Sequence, residues 1–192
     1  VTGVQTCALP ICSWDWNQKV WEYPVIIDNM MNLEMLMWAS KNSDNPKFAE
    51  IAKSHADVTM KHHFRPDYSS YHVISYDTIS GQPEKKNTCQ GYAHESCWAR
   101  GQGWALYGYT MMYRETGQEK YLQHATNVAR FIMNHPRLPE DKIPYWDFDA
   151  PGIPNELRDA SAGALMASAF IELSQYTEGD FSRSEERRVG KE

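Results

Sequence analysis

Two stretches of the chain carry the same pattern 73 residues apart. Lys47-Phe48 is followed by Ala52, Ala56, Met60 and His62, and Lys120-Tyr121 by Ala125, Ala129, Met133 and His135. The spacing of the small and apolar residues puts them on one stripe of a helix. A helix with so narrow a stripe cannot bury itself alone, so repeats of this kind stack into a solenoid or close into a ring of helical hairpins. Each repeat is preceded by another helical stretch, Asp28 to Ala39 and Glu95 to Thr116. Asn45-Pro46 opens the helix that runs to about His62, with proline suited to the first turn. Gly117 stops the helix before Gln118 to His135. A last helix runs from Arg158 to Tyr176. Its run Ala160-Ser-Ala-Gly-Ala-Leu-Met-Ala-Ser-Ala169 demands close helix approach and suits the inside of a ring. Tyr71 to Tyr76 alternates like a short strand, whereas Ile79 to Gly91 reads as a polar loop and Pro136 to Pro154 as a loop rich in proline and aromatics.

The charge balance is acidic, with a formal net charge of −6, which argues against nucleic acid as a partner. No apolar run approaches the roughly 20 residues needed to span a bilayer. Residues 1–12 and 183–192 resemble translated sequencing-adapter reads and share no periodicity with their neighbours, so neither belongs in fold reasoning. That leaves 13–182 as the native part, a piece of a single catalytic domain. Of the four cysteines, Cys7 and Cys12 fall in or beside the foreign-looking end. Cys89 and Cys97 form no CxxC pair and no zinc spacing, and two free thiols are expected of them. His62, His63 and His94, with Asp147 and Asp149, share no ligand spacing, so the sequence assigns no metal and no cofactor.

The densest chemistry lies in Cys97-Trp-Ala-Arg-Gly-Gln-Gly-Trp104. Trp98 and Trp104 offer flat apolar faces of the kind that stack on sugar rings. Arg100 offers a planar fork for a carboxylate. The helix that follows adds N–H groups and a dipole favourable to an anion. Read from composition alone, the same stretch is equally a tryptophan-rich core turn with a surface arginine.

Taken together, Asp28-Asn-Met-Met-Asn32, Tyr71-His72, Gln90-Gly91, Trp98-Ala-Arg-Gly-Gln102 and Arg158-Asp-Ala-Ser-Ala-Gly-Ala164 resemble the unsaturated glucuronyl hydrolases of glycoside hydrolase family 88. The resemblance runs from Ser13 to Thr177 and rests on order and spacing rather than on any one motif. It implies an all-α fold, an (α/α)6 barrel of helical hairpins of which this chain holds about half. It also implies a reaction: release of a terminal 4,5-unsaturated uronic acid from polysaccharide-lyase products by adding water across the C4=C5 double bond. The partner would be an unsaturated oligosaccharide.

By the same resemblance Asp28 is the general acid/base and His72 a second catalytic position, and Gln90, Trp98, Arg100 and Trp104 contact substrate. Spacing alone would make Asp28 a helix cap and His72 a structural histidine. Arg158 and Asp159 read as a helix-start pair. A second essential aspartate of the family falls before Ser13 and is absent, so the fragment by itself is expected to be inactive. Two other readings compete: an unsaturated rhamnogalacturonyl hydrolase of glycoside hydrolase family 105, and a non-catalytic helical-repeat interaction module. Bacterial cytoplasm and periplasm both fit.

Overall fold

The computed structural model describes residues 21–177. The two adapter-like ends, 1–12 and 183–192, lie outside the described residues. Among those described, five helices and three strands follow in the order β1 (Pro24–Ile26), α1 (Asn29–Lys41), α2 (Lys47–His62), β2 (Val73–Tyr76), β3 (Pro83–Asn87), α3 (Ala99–Thr116), α4 (Glu119–Asn134) and α5 (Ala160–Ser174). The repeated stretches are α2 and α4. Helix α3 lies between α1 and α5, while α2 packs mainly on α1 and α4 mainly on α3. This is a layer of inner helices backed by outer ones, as in part of an α/α barrel.

Small residues set the spacing of the inner layer. A Cβ on Gly108 would sit 2.4 Å from Met30 Cβ, and one on Gly103 would sit 3.0 Å from Leu165 Cδ2. Glycine therefore permits α3 to touch α1 on one flank and α5 on the other. On α5, Ala162, Met166, Ala169 and Leu173 are buried, one stripe at helical spacing. The outer helices are tied by polar contacts as well as packing. Tyr121 Oη donates to Asp57 Oδ1 at 2.9 Å, joining α4 to α2, and Tyr109 Oη donates to Ala56 O at 3.0 Å, joining α3 to α2. Gly117 takes a left-handed conformation (φ 64°) and its N–H closes α3 on Tyr113 O at 2.7 Å.

The all-α expectation needs one addition. The three strands form an antiparallel sheet in the order β1-β2-β3, with Val25 opposite Ile74 and Val73 opposite Asn87. Strand β3 lies in the stretch read as a polar loop, because Pro-Glu-Lys-Lys-Asn has no apolar alternation; it is an edge strand held by backbone pairing to β2. Helices α3 and α5 also start later than their periodicity suggests. Trp98 is extended and bridges Asp147, and Arg158 bridges Tyr145, so backbone pairing captures the residues before each helix. Cys89 and Cys97 are free thiols.

The contact between α1 and α3 makes a direct prediction. Gly108→Ala places a methyl group against Met30 with no room to relax and should destabilise the fold by about 1–3 kcal/mol. Gly117→Ala meets no neighbour within 4 Å and should cost only the strain of a left-handed backbone, about 1 kcal/mol. Chemical denaturation of both variants checks the order; equal losses would contradict the close approach.

Candidate active site

The sheet delivers two side chains to one point. Strand β1 runs straight into α1, and the backbone N–H of Ile27 donates to the carbonyl of His72 at 3.0 Å. That bond extends the β1–β2 ladder by a step and sets Asp28, the next residue, beside His72. Asp28 Oδ2 lies 3.8 Å from His72 Nε2. Asp28 stands at the N-cap position of α1, yet its side chain makes no capping hydrogen bond. The carboxylate is turned toward the histidine instead.

His72 is oriented from behind. Its Nδ1 accepts from the backbone N–H groups of Cys89 (3.1 Å) and Gln90 (3.2 Å). Two donors on Nδ1 require that nitrogen to be the lone-pair side of the ring, so the neutral ring carries its proton on Nε2, facing Asp28. Trp98 lies against the ring, centroids 4.3 Å apart and planes tilted by 33°. Both polar groups are buried, Asp28 8% exposed and His72 3%. Burial therefore decides their protonation. It raises Asp28 from 3.8 to about 6, opposed by its own backbone N–H and by the nearby cation of Arg100. It lowers His72 from 6.5 to about 4. The pair is thus a carboxylic acid beside a neutral imidazole near pH 5.

Arg100, in the first turn of α3, lies with its guanidinium carbon 5.3 Å from the Trp98 ring. Its Nη2 donates to Asp159 Oδ2 at 2.9 Å. Asp28 Oδ2, His72 Nε2 and Arg100 Nε are all buried without a hydrogen-bond partner. Asp28 lies beside His72, His72 against Trp98 and Trp98 beside Arg100, so the three unsatisfied atoms belong to one cluster of side chains, a candidate place for a polar ligand.

The other sequence-derived positions are placed less centrally. Gln90 contributes its backbone N–H to His72, and its side chain is exposed. Trp104, one turn along α3 from Arg100, is half-buried and lines a groove of about 720 Å³ with Met31, Met35, Tyr107 and Leu165. His63 is buried with its Nδ1 3.4 Å from Tyr71 O. No group of three or more histidine, cysteine, aspartate or glutamate side chains able to hold a metal occurs among the described residues.

Two carboxylates named in the sequence, Asp147 and Asp159, take roles at the site that spacing did not indicate. Asp147 is fully buried, and its Oδ2 accepts from Ser96 Oγ (2.7 Å) and Tyr92 N–H (2.9 Å). It pins the loop whose first residues hold His72 Nδ1. Asp159 was legible as a helix start, and its Oδ1 does cap α5 through Ala162 N–H at 2.8 Å. Its second oxygen on Arg100 depends on a tertiary contact between α3 and α5 that no local spacing encodes.

This geometry can be set beside known proteins. No protein-family profile matches the chain. An unsaturated glucuronyl hydrolase of Formosa agariphila is 56% identical over 177 residues, covering 92% of this chain and 44% of that protein. The unsaturated glucuronyl hydrolase of Bacillus sp. strain GL1 is 37% identical over 160 residues, covering 83% of this chain and 42% of its own length. A crystal structure of an unsaturated glucuronyl hydrolase specific for heparin superposes with a TM-score of 0.88 at 52% identity, over 94% of this chain and 47% of that one. The chain is homologous to the unsaturated glucuronyl hydrolases. It spans less than half the length of these relatives. The five helices of its described residues, inner and outer, match part of that (α/α)6 barrel.

The buried acid has a stability consequence. Between pH 3.8 and about 6 the folded protein binds a proton at Asp28 that the unfolded chain does not. Stability from this group is therefore full below 3.8 and is lost as pH rises through 6. Raising Asp28 from 3.8 to about 6 corresponds to about 3 kcal/mol. Histidine 72 acts with the opposite sign, since its contribution is gained as pH rises from about 4 through 6.5. Asp28→Asn removes only the first effect, so the variant should gain stability over the parent as pH rises from 4.5 to 7.5. Denaturant midpoints at both pH values measure it; a difference independent of pH would contradict a buried, raised carboxyl.

Proposed function

We propose that the whole protein releases the terminal 4,5-unsaturated uronic acid from polysaccharide-lyase products by hydrating the C4=C5 double bond. The observation that carries this reading is Asp28 held as a carboxylic acid 3.8 Å from a neutral His72, with Asp28 Oδ2 and His72 Nε2 both lacking a hydrogen-bond partner. Asp28 protonates C4, and positive charge develops at C5, where the ring oxygen shares it. The carboxylate left on Asp28 then takes a proton from the water that attacks C5. The resulting hemiketal opens, and the glycosidic bond breaks as the remaining sugar departs with its proton. One residue thus serves as acid and then base. Its pKa near 6 suits both halves.

The remaining residues take supporting roles. The Nε2–H of His72 is a donor available to the reacting sugar or the water. Arg100 meets the uronate carboxylate and the half-buried Trp104 offers a face to the sugar rings, while Trp98, 4% exposed, backs His72 instead of stacking on sugar. Gln90, whose backbone N–H holds His72 Nδ1, offers an exposed side chain to the substrate. The second aspartate implied by the family resemblance would come from chain preceding Ser13. The substrates favoured are unsaturated glycosaminoglycan disaccharides. Relatives named as unsaturated chondroitin disaccharide hydrolases from Streptococcus pneumoniae and a structure named as specific for heparin support that choice over a rhamnogalacturonan product. The gathering of Asp28, His72, Trp98 and Arg100 weighs against a purely structural repeat module.

The conjugated double bond absorbs in the ultraviolet, so turnover is read as a fall in absorbance. Asp28→Asn in the whole protein should slow it about a hundred- to ten-thousand-fold while leaving binding largely intact. The parent's kcat/KM should fall as pH rises above about 6, where Asp28 loses its proton. Bleaching by the Asn variant at the parent rate would remove Asp28 from the mechanism. A panel of lyase-generated disaccharides, chondroitin-, heparin- and rhamnogalacturonan-derived, separates the substrate classes.

A further inference from the structure

Arg100 is already engaged before any ligand arrives. Its Nη2 is bonded to Asp159 Oδ2 at 2.9 Å, and Asp159 is 7% exposed. The same carboxylate caps α5 through Oδ1 on Ala162 N–H at 2.8 Å. Asp159 is therefore fixed twice, by its own helix and by the arginine, and cannot swing away without uncapping α5. An arginine carries five N–H donors in a rigid plane. One is used by Asp159, and another, on Nε, is buried without a partner. A long side chain held at one edge keeps its other donors in a set direction. A free one would spend about 2 kcal/mol of rotamer freedom on binding.

We propose that Asp159 is the positioning residue for the uronate site: it anchors Arg100 across the α3–α5 contact so that the remaining guanidinium edge receives the sugar carboxylate. This deepens the functional reading above and rests on it. Charge argues the other way, because Asp159 partly neutralises Arg100 and would repel a second carboxylate. Geometry outweighs charge here for two reasons. The α5 cap holds the Asp159 carboxylate in place, and the Trp98 ring 5.3 Å away supports the guanidinium from a second side. The arginine is thereby held on two sides.

The test measures binding calorimetrically in the whole protein carrying Asp28→Asn, so that substrate is not consumed. Two ligands are compared: an unsaturated uronyl disaccharide and its methyl ester, which lacks the charge. Asparagine and serine both cap helices well, so Asp159→Asn and Asp159→Ser keep α5 but lose the ionic hold on Arg100. Each should weaken the uronide about tenfold, as expected for a charge-assisted hydrogen bond, and leave the ester within about twofold. In an Arg100→Ala background, neither Asp159 substitution should weaken the uronide further. Equal losses for uronide and ester, or additive losses with Arg100→Ala, would mean that Asp159 only supports the fold. Unchanged or tighter uronide binding would overturn the proposal. If the protein with Asp159 intact fails to bind the uronide at all, the functional reading falls and this inference with it.

Discussion

The hydrogen bond from Ile27 N–H to His72 O, at 3.0 Å, is the constraint on which the site depends. It is the last rung of the β1–β2 ladder, and it lies where β1 turns into α1. Strand pairing fixes register, and register here decides which residue faces His72. A slip of one residue would set Ile26 or Asp28 opposite His72 in place of Ile27 and carry the Asp28 carboxylate away from Nε2. The small sheet, marginal in size, thus ties the start of an inner helix to the loop that follows α2. The barrel layer supplies the wall, and the sheet supplies the alignment.

The chemistry of the pair follows from burial. At 3.8 Å a charged Asp28–His72 pair would gain about 4 kcal/mol at an effective dielectric of 20. Removing two ions from water costs several kcal/mol each. The neutral pair wins, and the opposite directions of the two shifts, Asp28 upward and His72 downward, express the same desolvation. The backbone N–H of Asp28 and then Arg100 moderate this by favouring the Asp28 carboxylate, and Asp159 in turn holds Arg100. Hence the acid is raised only to about 6 and can be recovered as a base within the same turnover.

Much of the helical frame was legible in the sequence because it obeys one period. Ala52, Ala56 and Met60, with Ala125, Ala129 and Met133, announce α2 and α4, and the small residues of α5 announce an inner position. The strands were less legible. Tyr71 to Tyr76 announced β2 alone; β1 has only three residues, and Lys85-Lys86 in β3 offers no apolar alternation. At the site, the residue types of Asp28, His72, Trp98 and Arg100 could be singled out by their order. What spacing could not give was the tertiary pairing: that Asp28 leaves its own cap unmade to face His72, that Asp147 pins the loop behind it, and that Asp159 holds Arg100.

The central claim is that the fold keeps Asp28 protonated where a solvated aspartate would be ionised. A carbon-13 titration of the aspartate side-chain carboxyls, with Asp28 assigned by its loss in Asp28→Asn, reads this directly. The account predicts a midpoint near 6 for Asp28. A midpoint at or below the ordinary value of 3.8 would show that Arg100 and the helix N-terminus outweigh burial, and Asp28 could not act as the acid.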